Sequence, residues 1–152
     1  MTDLADASGP VIVVGVDWSD ASKDALRWAA HQAQLAGASL RAVMTWDIPT
    51  FAYGGPMPFP ADMDLEGGSR AALDQVIVDI LGDKPAVEVS AVVIEGHPAE
   101  ELLEAAQTAE LLVVGSRGHG AFAGMVLGSV SEHCVAHSPC PVVVVRHSAS
   151  SA

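Results

Sequence analysis

A run of six residues, VIVVGV (11–16), limits what this chain can fold into more than any other stretch. It is rich in β-branched residues and has no polar alternation, which is the pattern of a strand buried on both faces. The next stretch, SDASKDALRWAAHQAQLAG (19–37), places Ala21, Ala25, Leu26, Ala29, Ala33 and Ala36 at helical spacing, with a cap at Ser19 and a stop at Gly37. The same exchange of signals then repeats. Strands are expected at 40–46, 86–96, 110–116 and 141–146, and helices at 65–83, 98–109 and 129–138. The 65–83 helix is weakened by Gly67 and Gly68, whereas Pro98 suits a first helical turn. Strand 86–96 alternates more than the others, as a strand near a sheet edge does. The order βαβαβαβαβ implies an α/β, doubly wound, mostly parallel sheet with helices on both faces and right-handed crossovers. Ligands of such sheets bind beyond the carboxyl ends of the strands, where the strand order reverses. Residues 47–63 interrupt the alternation with four prolines and two adjacent glycines, so they read as a long loop, either functional or a plain connector.

Composition narrows the class. The chain has 152 residues, 50% of them hydrophobic and 17% charged, which suits one globular domain at 11–147 between flexible segments at 1–10 and 148–152. No apolar run approaches the ~18 residues of a membrane span. The start is acidic and polar rather than basic and then apolar, so a cytoplasmic location is expected and no membrane partner. A net charge of -12 argues against nucleic acid as a partner, because neutralising phosphates takes a basic surface. The charge is unevenly spread: residues 1–110 hold 18 acids against 5 bases, whereas 111–152 hold Glu132 against Arg117 and Arg146. The segment spared from acidity is either tolerant of an anion or simply buried. Cys134 and Cys140 match neither CxxC nor a zinc-ribbon spacing, so they read as reduced core thiols, with redox sensing the alternative.

The spared segment contains VVGSRGHGAFAGMVLGSVSE (113–132), with five glycines, three serines, one arginine and no lysine. It begins at the carboxyl end of the fourth expected strand, where a ligand site belongs. Gly128 and Ser129 open the last expected helix, whose first N–H groups can bind an anion. Glycines let backbone approach phosphate oxygens, Ser129 and Ser131 can add hydroxyl donors, and Arg117 can add charge. The chemistry suggested is a phosphate cradle, as in a nucleotide site; a glycine-rich turn without a ligand is the alternative. A Walker loop is excluded by the missing lysine. A dinucleotide fingerprint is excluded because its glycines would follow the first strand.

The spacing G-x2-G-x9-G-[ST], met by Gly115, Gly118, Gly128 and Ser129, closely resembles the universal stress protein family when combined with VVGVDWSDAS (13–22) and SPCPVVVVR (138–146). The resemblance runs from about Val11 to Arg146. It implies a single α/β domain of five parallel strands in the order 3-2-1-4-5. It also implies the branch of the family that binds ATP, with Mg²⁺ as a possible companion. By position, Asp17 matches the family's aspartate beside the nucleotide, although a turn or capping role is the alternative. Gly15 and Val16 would line the adenine or ribose side. Thr45, with Val43 as the alternative, would present backbone groups to adenine. Gly115, Arg117, Gly118, His119, Gly128, Ser129, Val130 and Ser131 would surround the ribose and phosphates.

Catalysis asks for more than phosphate binding, and Asp17 is the one acid that can be assigned to the site. No GxSxG elbow is present. His133 and His137 stand at i, i+4, but HCVAH lacks the HExxH arrangement, so no metal centre is expected. The expected function is a nucleotide-dependent regulator of stress response that binds ATP. A slow ATPase using the same site, or a cyclic-AMP-binding member of the same fold, are the alternatives, followed by an interaction protein with a vestigial site. The run PVVVVR (141–146) reads as an edge strand, which can pair with a second copy to give a homodimer, as the resemblance also implies, or lie covered by the N-terminal segment.

Overall fold

A computed structural model of the chain describes residues 9–47, 64–117 and 127–147. Nine elements alternate: β1 Val11–Gly15, α1 Asp20–Ala36, β2 Ser39–Trp46, α2 Leu65–Leu81, β3 Val89–Glu95, α3 Pro98–Ala106, β4 Leu111–Gly115, α4 Ser129–His137 and β5 Val142–Val145. The five strands form one sheet in the order β3-β2-β1-β4-β5, and every neighbouring pair is parallel. The expected fold class and strand order are thus the observed ones. Strand β3 lies at an edge, as its alternation suggested.

The helices divide between the two faces. Ile12, Val14 and Val16 of the first strand region pack with Ala25, Leu26 and Ala29 of α1 and Leu73 and Ile77 of α2. Val11 and Val13 point the other way and pack with Leu102 and Ala106 of α3 and Cys134 of α4. That is why VIVVGV carries no polar alternation: both faces of β1 are covered, and Val13 and Val14 have no exposed surface.

The ends of α1 follow the local chemistry read from the sequence. Ser19 is the N-cap, accepting from the Ser22 N–H, and Gly37 ends the helix in the left-handed region at φ 66°. Two positions depart from the expected apolar stripe. Ala36 is exposed, because it is the last helical residue. Ser22 is buried instead, and its hydroxyl bonds to backbone at the end of β1. Helix α2 keeps Gly67 and Gly68 in its first turn, where Asp64 caps it by accepting from the Gly67 N–H at 2.8 Å. Among the described residues, no helix is long and apolar enough to cross a membrane. The 47–63 loop lies, apart from Asp47, outside the described residues.

Candidate functional site

The strand order reverses between β1 and β4. After β1 the chain adds β2 and then β3 on one side, and then crosses to place β4 and β5 on the other. The carboxyl ends of β1 and β4 are Gly15 and Gly115, and the strands are held side by side through Val13↔Leu112 and Val14↔Val113. Val43 pairs with Gly15 from the other side. The tertiary structure therefore brings four separate sequence segments, around residues 15, 43, 115 and 128, to one end of the sheet.

The two strand-end glycines are glycines for packing reasons. A Cβ on Gly115 would lie 2.7 Å from the backbone carbon of Ala21 and 2.9 Å from the Ser22 nitrogen, so β4 ends hard against the first turn of α1. A Cβ on Gly15 would lie 2.8 Å from Leu102 Cδ1, on the α3 side. The expectation that Gly115 serves approach to a ligand is thus joined by a demand from the fold itself.

Asp17 builds the turn between β1 and α1. Its Oδ1 accepts from the Ser19 N–H at 2.7 Å and from the Ser19 hydroxyl. The Ser19 oxygen in turn accepts from the Ser22 N–H at 3.2 Å. The Ser22 hydroxyl closes the loop by donating to the Asp17 carbonyl at 2.9 Å. One carboxylate oxygen is therefore engaged in the turn role that the sequence left open. Val16 is buried at 5% exposure among the α1 and α2 residues, and its N–H donates to the Val43 carbonyl at 2.8 Å. Its side chain faces the core, not the strand-end crevice. Val43 is likewise buried, with its carbonyl taken by that bond, whereas Thr45 is half-buried farther along β2. Of the two β2 candidates, Thr45 is the accessible one.

The end of β4 and the start of α4 are stapled together. The Gly128 N–H donates to the Ser116 carbonyl at 2.7 Å. The Ser131 hydroxyl lies 2.9 Å from that same carbonyl and 3.0 Å from the Gly128 carbonyl. Ser131 is 2% exposed, so its hydroxyl serves this junction. The helix turns its second serine inward, onto the strand it follows. Ser129 is exposed at the first position of α4, Val130 is half-buried, and Arg117 is exposed just past β4. Gly128 caps α4 in extended conformation, and among the described residues no side-chain cap bond is made at the start of the helix. Gly118 and His119 lie outside the described residues.

An open cleft of about 370 Å³ lies between the starts of α3 and α4, lined by Ser129, Val130 and His133 on one wall and by His97, Pro98, Ala99 and Glu100 on the other. The glycine pattern pointed to the first wall and missed the second. The available signal was Gly96, which leaves β3 at φ 148° and is followed at once by His-Pro opening a helix. Among the described residues, no group of three or more His, Cys, Asp or Glu could hold a metal ion. The His133 and His137 rings stand 4.6 Å apart between centroids. Cys134 is fully buried, and desolvation pushes its thiol up to about 11, which leaves little thiolate for redox chemistry.

Comparison with known proteins decides the family. The family model described as the universal stress protein family matches residues 10–146. The chain belongs to the universal stress protein family. A universal stress protein of Mycolicibacterium smegmatis is 36% identical over 92% of this chain, and the match covers 52% of that protein. A universal stress protein of Thermus aquaticus is also 36% identical, over 89% of this chain and 97% of its own length. The chain thus spans about half the length of the mycobacterial universal stress proteins it matches and nearly all of the Thermus one. Among solved structures, a universal stress protein in complex with cAMP superposes with a TM-score of 0.68 at 27% identity, covering 91% of this chain and 98% of that one.

Proposed function

We propose that this universal stress protein binds an adenine nucleotide, ATP foremost, at the carboxyl ends of β1 and β4, and acts as a nucleotide-dependent regulator in stress response. The observation that carries the reading is the junction of Ser116 with Gly128. It ties the start of α4 to the end of β4, and it leaves the first N–H groups of that helix without a side-chain cap. Unpaired N–H groups with the positive end of a helix dipole suit phosphate oxygens. The cAMP complex of a structural relative supports a nucleotide at this fold. In this reading Gly115, Gly118, Gly128, Ser129 and Val130 surround the phosphates, with Arg117 and His119 at the rim. Gly15, Asp17 and Thr45 serve the ribose and base. A Mg²⁺ ion accompanying ATP would be held by phosphate oxygens and water, with Asp17 the nearest assigned carboxylate.

The test is to denature freshly purified protein, chromatograph the released small molecules, and repeat with Gly128→Ala. Gly128 sits at φ -74° and ψ 167°, which alanine adopts freely, so the variant probes close approach rather than backbone strain. Near-stoichiometric ATP from the parent and none from the variant is the expected outcome. Recovery of ADP in place of ATP would favour slow hydrolysis over a regulator. A parent that holds no nucleotide and takes up none would overturn the reading.

A further inference from the structure

The cleft between α3 and α4 presents two imidazoles that the glycine-motif site does not use. His97 immediately precedes α3 and His133 lies in α4, so the two reach one space from separate elements. Pro98 and Val130 supply apolar wall between them, and Ser129 belongs both to the cleft and to the glycine motif. The cleft therefore continues the proposed nucleotide site outward rather than forming a second, detached one.

We infer that this cleft receives the outer phosphates of a nucleoside di- or triphosphate, and that His97 and His133 are its proton-dependent phosphate ligands. The inference rests on the proposed nucleotide site and adds its selectivity. A polyphosphate needs positive charge, and this chain has little to offer: its net charge is -12, and residues 111–152 contain no lysine and only Arg117 and Arg146 as permanent cations. Imidazole is the side chain that gains a positive charge near neutral pH, and a protonated imidazole makes charge-assisted hydrogen bonds to phosphate. The neighbouring charges set what the phosphate must compete with. Asp47 Oδ2, at the end of β2, lies 3.7 Å from His97 Nδ1. Glu100 lines the same cleft, and the Glu101 carboxylate lies over Gly96 beside His97. His137 faces His133 from the next turn of α4. The Glu100 carboxylate is a negative charge in the cleft that an arriving phosphate must overcome. A monophosphate held at the glycine motif would leave these histidines unused.

The experiment is titration calorimetry with ATP and with AMP at pH 6 and pH 8, on the parent and on the His97→Asn/His133→Asn double variant. In the parent, ATP should bind about tenfold or more tightly at pH 6 than at pH 8, with proton uptake seen as a buffer-dependent heat, since each proton taken up changes affinity by up to about tenfold per pH unit. ATP's own protonation works the other way. In the double variant the tighter binding of ATP at pH 6 should be lost and the preference for ATP over AMP should narrow, with AMP affinity unchanged. Both histidines are exposed, so the fold should persist, which circular dichroism checks; the single variants apportion the effect. A double variant that keeps the parent's pH dependence, or loses AMP as much as ATP, overturns the inference and leaves the nucleotide site standing. A parent that binds neither nucleotide at either pH overturns both.

Discussion

Gly15 and Gly115 occupy equivalent places at the ends of neighbouring strands, yet a methyl group would meet different things at each. At Gly115 it meets helix backbone at 2.7 Å, which cannot yield without moving α1. At Gly15 it meets the end of the Leu102 side chain, which has rotamers to try. Gly115→Ala should therefore cost about 2 kcal/mol or more, and Gly15→Ala about half that or less, as overpacking of a core does. Urea denaturation of the two variants measures the difference; equal costs would show that Leu102 is as immovable as the helix. The pattern of glycines was legible in the sequence, but the reason for each was not. Gly115 is pressed by residues more than 90 positions away in the chain, and only the fold reveals that neighbour. Ser131 makes the same point. A serine three residues past Gly128 reads as a phosphate donor, and helical geometry turns it onto the Ser116 carbonyl.

At the scale of elements, the strands and helices were readable because each carries its own period and its own punctuation. Ser19 and Gly37 delimit α1 through local hydrogen bonding that needs no tertiary partner. Strand β5 is an edge strand of four half-buried valines, with Val143 and Val145 on the α1 side and Val142 and Val144 on the α3 side. Its outer backbone groups can pair with a second copy, and the homodimer expected from the sequence would use this edge. Val143→Lys should shift the protein to monomers in sedimentation velocity. A melting curve run beside it separates a broken interface from a broken strand, because the side chain also packs on the sheet. Dimers that persist in a folded variant would place the contact elsewhere. The second wall of the cleft was not legible at this scale. His97 to Glu100 look like an ordinary helix start, and nothing local says that α4 lies opposite.

For the whole molecule, a nucleotide that binds the folded state alone must stabilise it by mass action. ATP at 100 times its dissociation constant should add about 2.7 kcal/mol to the unfolding free energy. The parent should show a concentration-dependent rise in melting temperature that Gly128→Ala lacks. A rise of equal size in both would mean that ATP acts away from the glycine motif. By itself the sequence determined the layer architecture, because uninterrupted β-branched runs alternating with amphipathic helices can bury themselves only as a parallel sheet covered on both faces. It also determined which segment departs from the chain's acidic charge. The tertiary structure decided which ends meet. Strand order sets β1 beside β4, and two helices on one face set His97 opposite His133. Contacts between residues far apart in sequence depend on how the sheet is assembled, and no local period or cap encodes them.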